Sequence, residues 1–133
     1  MPYENIGETC GVVQRFCGFV SAGEYVASAA EVASDARFDD LKFVISDDSR
    51  VDAHRIGKGT LDIYAALRIG ATRTNPNIRA AFIVTRSELR TIVELLTSPQ
   101  YAAPQVTRVF ARLTEAREWL SSRPTSTSLN LSP

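Results

Sequence analysis

Long apolar runs are absent from this sequence, and cysteine, histidine and net charge are scarce. The 133 residues include two cysteines and one histidine, and fifteen basic residues balance fifteen acidic ones. No stretch of about 18 apolar residues is available to span a bilayer, and the first residues lack the basic and apolar segments of a secretory signal. A net charge of +0 gives no electrostatic reason to bind nucleic acid or an anionic membrane. We therefore expect a cytoplasmic protein without a membrane span or a nucleic-acid partner.

The two cysteines, Cys10 and Cys17, fall in one apolar stretch that is predicted to be extended. In a continuous strand, a rise of roughly 3.3 Å per residue places their Cα atoms about 20 Å apart, beyond the reach of a disulfide. Their odd separation also directs the two thiols to opposite faces, so they cannot hold one metal ion together. We expect both to be small buried hydrophobic residues, which is the usual environment of a free cysteine.

The sequence does contain an alternation of β-rich and helical segments. A chain of this size with 44% hydrophobic residues suits one domain with its own core. Apolar strands are predicted at 9–20, 41–46, 78–85 and 106–111, with a short edge strand in 1–8, and helices are predicted to begin near Ser21, Asp52, Ser87 and Thr114.

Strands that alternate with helices favour a parallel sheet, because right-handed crossovers place a helix over each strand pair. The predicted fold class is α/β, with a four- to five-stranded, mostly parallel sheet and about four helices. Residues 1–122 should form the single domain. Residues 123–133 are rich in serine and threonine and poor in apolar side chains, which predicts a disordered tail.

Two helix starts carry specific signals. Ser21 and Glu24 have the spacing of a capping box, in which each side chain binds the backbone N–H of the other residue. Asp52 is predicted to cap the second helix, whose inward face has the spacing Ile56, Thr60, Ile63 and Leu67. The basic residues around this helix are predicted to form its solvated face, or alternatively a surface for an anionic ligand or acidic partner: Arg50, Arg55, Lys58, Arg68, Arg73 and Arg79.

The richest polar cluster follows the predicted strand 41–46 and is expected to form a loop leading to the second helix. Its members are Asp47, Asp48, Ser49, Asp52 and His54. The carboxyl end of a parallel strand is the usual ligand crevice of an α/β sheet, so a ligand would bind there. However, the spacing matches no metal-ligand motif, and Asp47 and Asp48 should point apart. Roles in a solvated loop and a helix cap are therefore favoured, and no cofactor or metal is expected.

Catalytic interpretations of the same cluster are weak. A Ser49–His54–Asp52 triad would require three residues of one short loop to converge, without a Gly-x-Ser-x-Gly turn to expose the nucleophile. The segment 57–60, Gly-Lys-Gly-Thr, is similar to the end of a phosphate-binding loop but lacks the earlier glycine, since position 52 is aspartate. We expect no nucleotide site of that type.

Three local motifs, in this order of elements, resemble the STAS family and, within it, the small SpoIIAA-like proteins of unassigned function. The resemblance runs from about Cys10 to Leu120. The motifs are the strand with its acidic end, 43–53 (FVISDDSRVDA), the turn 75–79 (NPNIR) and the closing strand and helix, 108–120 (RVFARLTEAREWL). The resemblance implies the fold and a general habit of binding partner proteins.

The resemblance also implies a regulatory site that this chain has altered. In regulatory members, a serine or threonine directly after an aspartate at the start of the second helix is phosphorylated by a partner kinase that is also an anti-sigma factor. Asp52 matches that aspartate, but Ala53 occupies the acceptor position and cannot be phosphorylated. The phosphorylation switch is therefore not carried over to this chain.

The favoured function is a non-enzymatic, STAS-like protein-interaction or regulatory module. Its expected contact surface is the segment 47–58, with candidate residues Asp47, Asp48, Ser49, Asp52, Ala53, His54 and Lys58. A protein partner is expected, and a homodimer is compatible with the sequence. One alternative is a domain that binds a small hydrophobic or anionic molecule, such as a lipid, in a cavity. A second is an enzyme that uses Asp47, Asp52 and His54.

Overall fold

The computed structural model describes residues 3–98 and 106–122 of the chain. An N-terminal strand pair is followed by alternating helices and strands, and the elements are β1 (Tyr3–Glu8), β2 (Gly11–Val20), α1 (Ala22–Ala33), β3 (Phe43–His54), α2 (Lys58–Thr72), β4 (Arg79–Ile83), α3 (Ser87–Glu94), β5 (Val106–Phe110) and α4 (Leu113–Ser121). Within the described ranges, none of the helices combines the length and apolar composition that crossing a bilayer requires. The predicted tail, 123–133, lies outside the described residues.

The strands form one sheet in the order β1-β2-β3-β4-β5. β1 is antiparallel to β2, and the other neighbours are parallel. Each parallel step uses a helix as the crossover, which is the connection that parallel strands need. The predicted α/β class, with a five-stranded, mostly parallel sheet and an N-terminal edge strand, is confirmed.

The two faces of the sheet are covered unequally. α1, α2 and α3 pack on one face, where Tyr25, Leu61 and Leu89 join a core cluster with Phe16 and Phe82 of the sheet. On the other face, α4 places Ala116 and Trp119 against strand residues such as Ile45. Burial of these apolar side chains is the main stabilising contribution, and among the described elements α4 is the one helix that supplies it on the second face.

The helix starts confirm one prediction and correct another. Ser21 accepts a hydrogen bond from the Glu24 N–H, and the Glu24 carboxylate accepts one from the Ser21 N–H, so the capping box is present. Asp52 does not cap α2, because α2 begins at Lys58 and its N-cap is Gly57. The side-chain contact at this helix start comes from Thr60, in the first turn of α2, whose Oγ1 accepts a hydrogen bond from the Gly57 N–H.

The predicted loop after residue 46 is wrong. β3 continues as a strand from Phe43 to His54, and its pairing with β2 extends to Val20 opposite His54. β4 pairs with β3 only as far as Asp47, so the second half of β3 runs on beside β2. Two irregularities in the β2–β3 register each leave β3 with one residue more than β2. Hydrogen-bond partners for the acidic side chains, described below, allow the strand to continue through them.

The expected burial of the cysteines is also wrong, because both are exposed. Cys10 lies in the turn between β1 and β2 with a φ of 65°, a conformation that a side chain disfavours. Its carbonyl accepts a hydrogen bond from the Lys42 N–H at 2.6 Å, which ties the turn to the start of β3. Cys17 lies beside the first irregularity of β2, and Gly18 next to it takes a φ of 68°.

The basic residues near α2 do not share one solvated face. Arg68 is buried, with 7% of its surface exposed, and it contacts Thr107 and the ring of Phe82. Arg79 lies on β4 and binds the end of α4. Ile63, expected to face inward, is 57% exposed. The inward face of α2 is rotated from the predicted one, so that it includes an arginine.

Candidate functional site

The residues predicted to form a functional site lie along the second half of β3 and the link to α2. Because side chains on a strand alternate between its two faces, this segment distributes them instead of gathering them. Asp47 and Asp48 are buried, and Ser49 is half-buried. The remaining four lie at or near the surface: Asp52, Ala53, His54 and Lys58.

Asp48 lies inside the core, on the face of the sheet that α1, α2 and α3 cover. Its carboxylate accepts hydrogen bonds from the Tyr25 hydroxyl at 3.1 Å and from the Ser46 hydroxyl at 3.2 Å. Burial raises the pKa of this carboxyl group to about 8, although the two hydrogen bonds oppose the shift. Burial, followed by the charge of Asp48, also raises the pKa of Tyr25 well above its usual value. The hydrogen bond between Tyr25 and Asp48 therefore links α1 to β3, and Asp48 is 1% exposed.

Asp47 and Ser49 form a local pair. The Asp47 carboxylate accepts hydrogen bonds from the Ser49 N–H at 3.1 Å and from the Ser49 hydroxyl at 2.6 Å. The pair coincides with the first register irregularity, where β3 carries an extra residue. Asp47 is only 8% exposed, and its carboxylate stabilises the local conformation of β3 through these hydrogen bonds.

The structure does not bring together the residues of the postulated triad. His54 accepts a hydrogen bond from the Ile56 N–H at its Nδ1, 3.0 Å away, and this contact shapes the turn into α2. Within residues 3–98 and 106–122, no ion pair includes His54 and no hydrogen bond joins it to Ser49 or Asp52. The same ranges hold no group of three histidine, cysteine, aspartate or glutamate side chains that could bind a metal.

Ala53 and Lys58 are both exposed but lie in different elements. Ala53 is in β3 opposite Phe19 of β2, so it precedes the helix and does not start it. Lys58 is the first residue of α2, and its Nζ is 3.8 Å from a carboxylate oxygen of Asp62.

No pattern in the sequence indicated the surface beside these residues. Phe19, which lies in an apolar run, is 54% exposed, and its neighbour Cys17 is exposed as well. Cys17 pairs with Arg50 and Phe19 with Ala53 across the two strands. We call this surface the outer β2–β3 face; it consists of Cys17, Phe19, Arg50, Asp52 and Ala53.

The path of α4 explains why the outer β2–β3 face is bare. α4 has nine residues and is therefore roughly 13 Å long, and it packs mainly on β3, β4 and β5. Arg117 of α4 binds Glu8 at 2.7 Å, and Glu8 pairs with Gly11 at the amino end of β2. α4 thus crosses toward that end. Among the described elements, none covers the carboxyl end of β2 and β3 on this face.

A small, partly open cavity lies between α1, α2 and the sheet. Most of its wall is apolar, and its polar members are Gln14, Ser46, Tyr64 and Arg68. Its volume of about 50 Å³ is far below the few hundred Å³ of sites for drug-sized ligands. A second depression, beside Phe43 and the last turns of α4, measures about 480 Å³ but is wide open to solvent. Neither has the enclosed apolar volume that a lipid carrier requires.

Two solved structures resemble this chain over most of its length. The anti-sigma factor antagonist SpoIIAA in its unphosphorylated form matches with a TM-score of 0.57 and 13% sequence identity, covering 91% of this chain and 99% of that chain. The fold is SpoIIAA-like. An uncharacterised protein of the DUF3478 family from Shewanella loihica PV-4, described as having a SpoIIAA-like fold, matches with a TM-score of 0.54 and 12% identity, covering 89% of this chain and 91% of that chain.

No family model and no curated protein matches the sequence. The SpoIIAA-like assignment is therefore one of fold, and the predicted resemblance is confirmed at that level.

Proposed function

We propose that this SpoIIAA-like chain is a non-enzymatic interaction module that binds a partner protein through the outer β2–β3 face. The observation that carries the proposal is the exposure of Phe19, 54% of whose surface is accessible on a sheet face that α4 leaves bare. Aromatic residues contribute strongly to protein interfaces, and an exposed apolar patch with a polar rim is typical of an interaction site.

The hydrogen bonds that the acidic residues and His54 make within the fold support a binding role over a catalytic one. Asp47 and Asp48 accept hydrogen bonds from neighbours inside the fold, and His54 accepts one from the backbone. Each group therefore has a sufficient structural role. The proposal includes no chemical step.

The nature of one structural neighbour also supports the proposal. SpoIIAA is an antagonist of an anti-sigma factor, so a protein of this fold acts on another protein. In the present chain Ala53 has no hydroxyl group, and binding through the outer β2–β3 face would not be switched by phosphorylation at that position.

Site-specific photo-crosslinking tests the proposal. A benzophenone amino acid is placed at position 53, and the variant is expressed and irradiated in the cells in which the protein naturally occurs. We expect a discrete crosslinked protein that is lost when Phe19→Asp is added, because a buried charge in the interface opposes binding.

The matched control places the same amino acid at position 63. Ile63 is 57% exposed but lies on α2, which packs on the other face of the sheet. The proposal fails if position 53 gives no crosslinked protein, or if positions 53 and 63 give the same products.

A further inference from the structure

The charges on the outer β2–β3 face suggest which partner fits it. Arg50 and Asp52 are two residues apart on β3, and Val51 between them is 3% exposed in the core on the opposite face. Both charged residues are exposed, and neither takes part in an ion pair within residues 3–98 and 106–122. The face therefore presents one cation and one anion side by side, next to the exposed ring of Phe19.

A surface with this pattern is complementary to itself. In a two-fold symmetric interface, residue i of one chain contacts residue j of the other, and j contacts i. If a two-fold axis passes near Val51, Arg50 of each chain meets Asp52 of its partner, and the two Phe19 rings are buried close to the axis. Because a strand rises roughly 3.3 Å per residue, Arg50 and Asp52 are close enough along β3 for both charge pairs to form in one interface.

The net charge of the whole chain is also compatible with association of two copies. Fifteen acidic and fifteen basic residues give a formal charge of +0, so two copies have no overall electrostatic repulsion to overcome.

We infer that the partner bound by the outer β2–β3 face is a second copy of this chain, which forms a two-fold symmetric dimer. The inference rests on the proposed function in one respect, since it uses the same face. Phe19 is the apolar centre of the dimer interface, and the two Arg50–Asp52 pairs fix its symmetry.

Analytical ultracentrifugation with charge-reversal variants tests the dimer. Over roughly a hundredfold range of concentration, the wild-type mass should rise from 14.6 kDa toward twice that value. Phe19→Asp should remain a monomer, whereas Ile63→Asp, a charge introduced on an equally exposed apolar residue of α2, should dimerise like the wild type.

The charge pairs provide the decisive comparison. Arg50→Asp alone and Asp52→Arg alone should each weaken the dimer by about tenfold or more, because like charges then face each other. The double variant Arg50→Asp/Asp52→Arg should restore the wild-type dissociation constant, since each pair is re-formed with its signs exchanged. Circular dichroism confirms that every variant is folded.

Three results would overturn the dimer: a wild-type mass of 14.6 kDa at all concentrations, dimerisation unchanged in Phe19→Asp, or single charge reversals that the double variant does not rescue. The crosslinking experiment at position 53 separates this failure from failure of the proposed function. A monomer that crosslinks to a different protein contradicts the dimer and leaves the interaction module standing. A monomer with no crosslinked product contradicts both.

Discussion

Asp48 is a carboxyl group buried in the core. It is 1% exposed, and the hydroxyl groups of Tyr25 and Ser46 donate hydrogen bonds to it. Burial disfavours the ionised form, so the pKa of Asp48 rises from 3.8 to about 8. Because the folded protein holds this proton more tightly than the unfolded chain does, the protonated carboxyl stabilises the fold. That contribution is complete below about pH 4 and is lost as the pH rises toward 8.

Replacing Asp48 with asparagine should remove this pH dependence. Between the two pKa values, one group changes the free energy of unfolding by at most about 1.4 kcal/mol per pH unit. We therefore expect the stability of Asp48→Asn relative to wild type to increase from about pH 5 to about pH 8, as measured by urea denaturation.

Asp52→Asn provides the control for the loss of one carboxylate, because Asp52 is exposed and lies on the same strand. A constant stability difference between Asp48→Asn and wild type across this range would contradict the assigned protonation of Asp48.

At the scale of elements, Arg79 shows how a strand residue holds a helix. Its guanidinium donates hydrogen bonds to the carbonyls of Trp119 at 2.7 Å and Ser122 at 3.0 Å, at the end of α4. It also lies 4.2 Å from the centre of the Trp119 ring. A cation at a helix C-terminus satisfies carbonyls that have no partner within the helix. The two motifs at 75–79 and 108–120 therefore meet in space.

Removal of this contact should loosen α4. We expect Arg79→Ala to lower the free energy of unfolding by about 1–3 kcal/mol, through the loss of charged hydrogen bonds and of the contact with the ring. Arg79→Lys should recover part of the loss, because it keeps the charge but not the planar fork. Urea denaturation gives both values. Arg73→Ala, at the exposed C-cap residue that follows α2, should change stability by less than about 0.5 kcal/mol, and an equal effect of the two alanine variants would contradict the role of Arg79.

In the described part of the molecule, one sheet separates two helical layers, so the layers should unfold together. The single tryptophan, Trp119, reports on the α4 layer, whereas far-UV circular dichroism is dominated by all the helices. We expect urea unfolding monitored by Trp119 fluorescence and by circular dichroism to have the same midpoint, because domains of this size usually unfold in one cooperative transition. Two separate midpoints would show that α4 and the remaining helices form independent units.

Most of the architecture was predictable because its signals are local. The capping box at Ser21 and Glu24 lies within four residues, and the apolar run at 78–85 marks a buried strand by itself. The inward face of α2 was less predictable, since Arg68 is buried and Ile63 is exposed. Such exchanges depend on partners from distant parts of the chain, here Thr107 and Phe82 for Arg68.

The candidate site was the least predictable region. The acidic residues after Ser46 have the composition of a loop, yet β3 continues through them because Tyr25, Ser46 and Ser49 satisfy their carboxylates. The exposure of Phe19 was not predictable either, because an apolar residue in a β-rich run gives no indication of which face of the sheet a helix will cover.

Composition and local residue patterns are enough to specify the α/β class, the order of the strands and helices along the chain, the capping box and the absence of a hydroxyl group at position 53. In contrast, the burial of Asp48, the exposure of the cysteines and the bare outer β2–β3 face follow from how the elements pack together. These features depend on how far β2 and β3 extend beyond their neighbours and on the path of α4 across the sheet, and both are set by contacts between residues far apart in the chain.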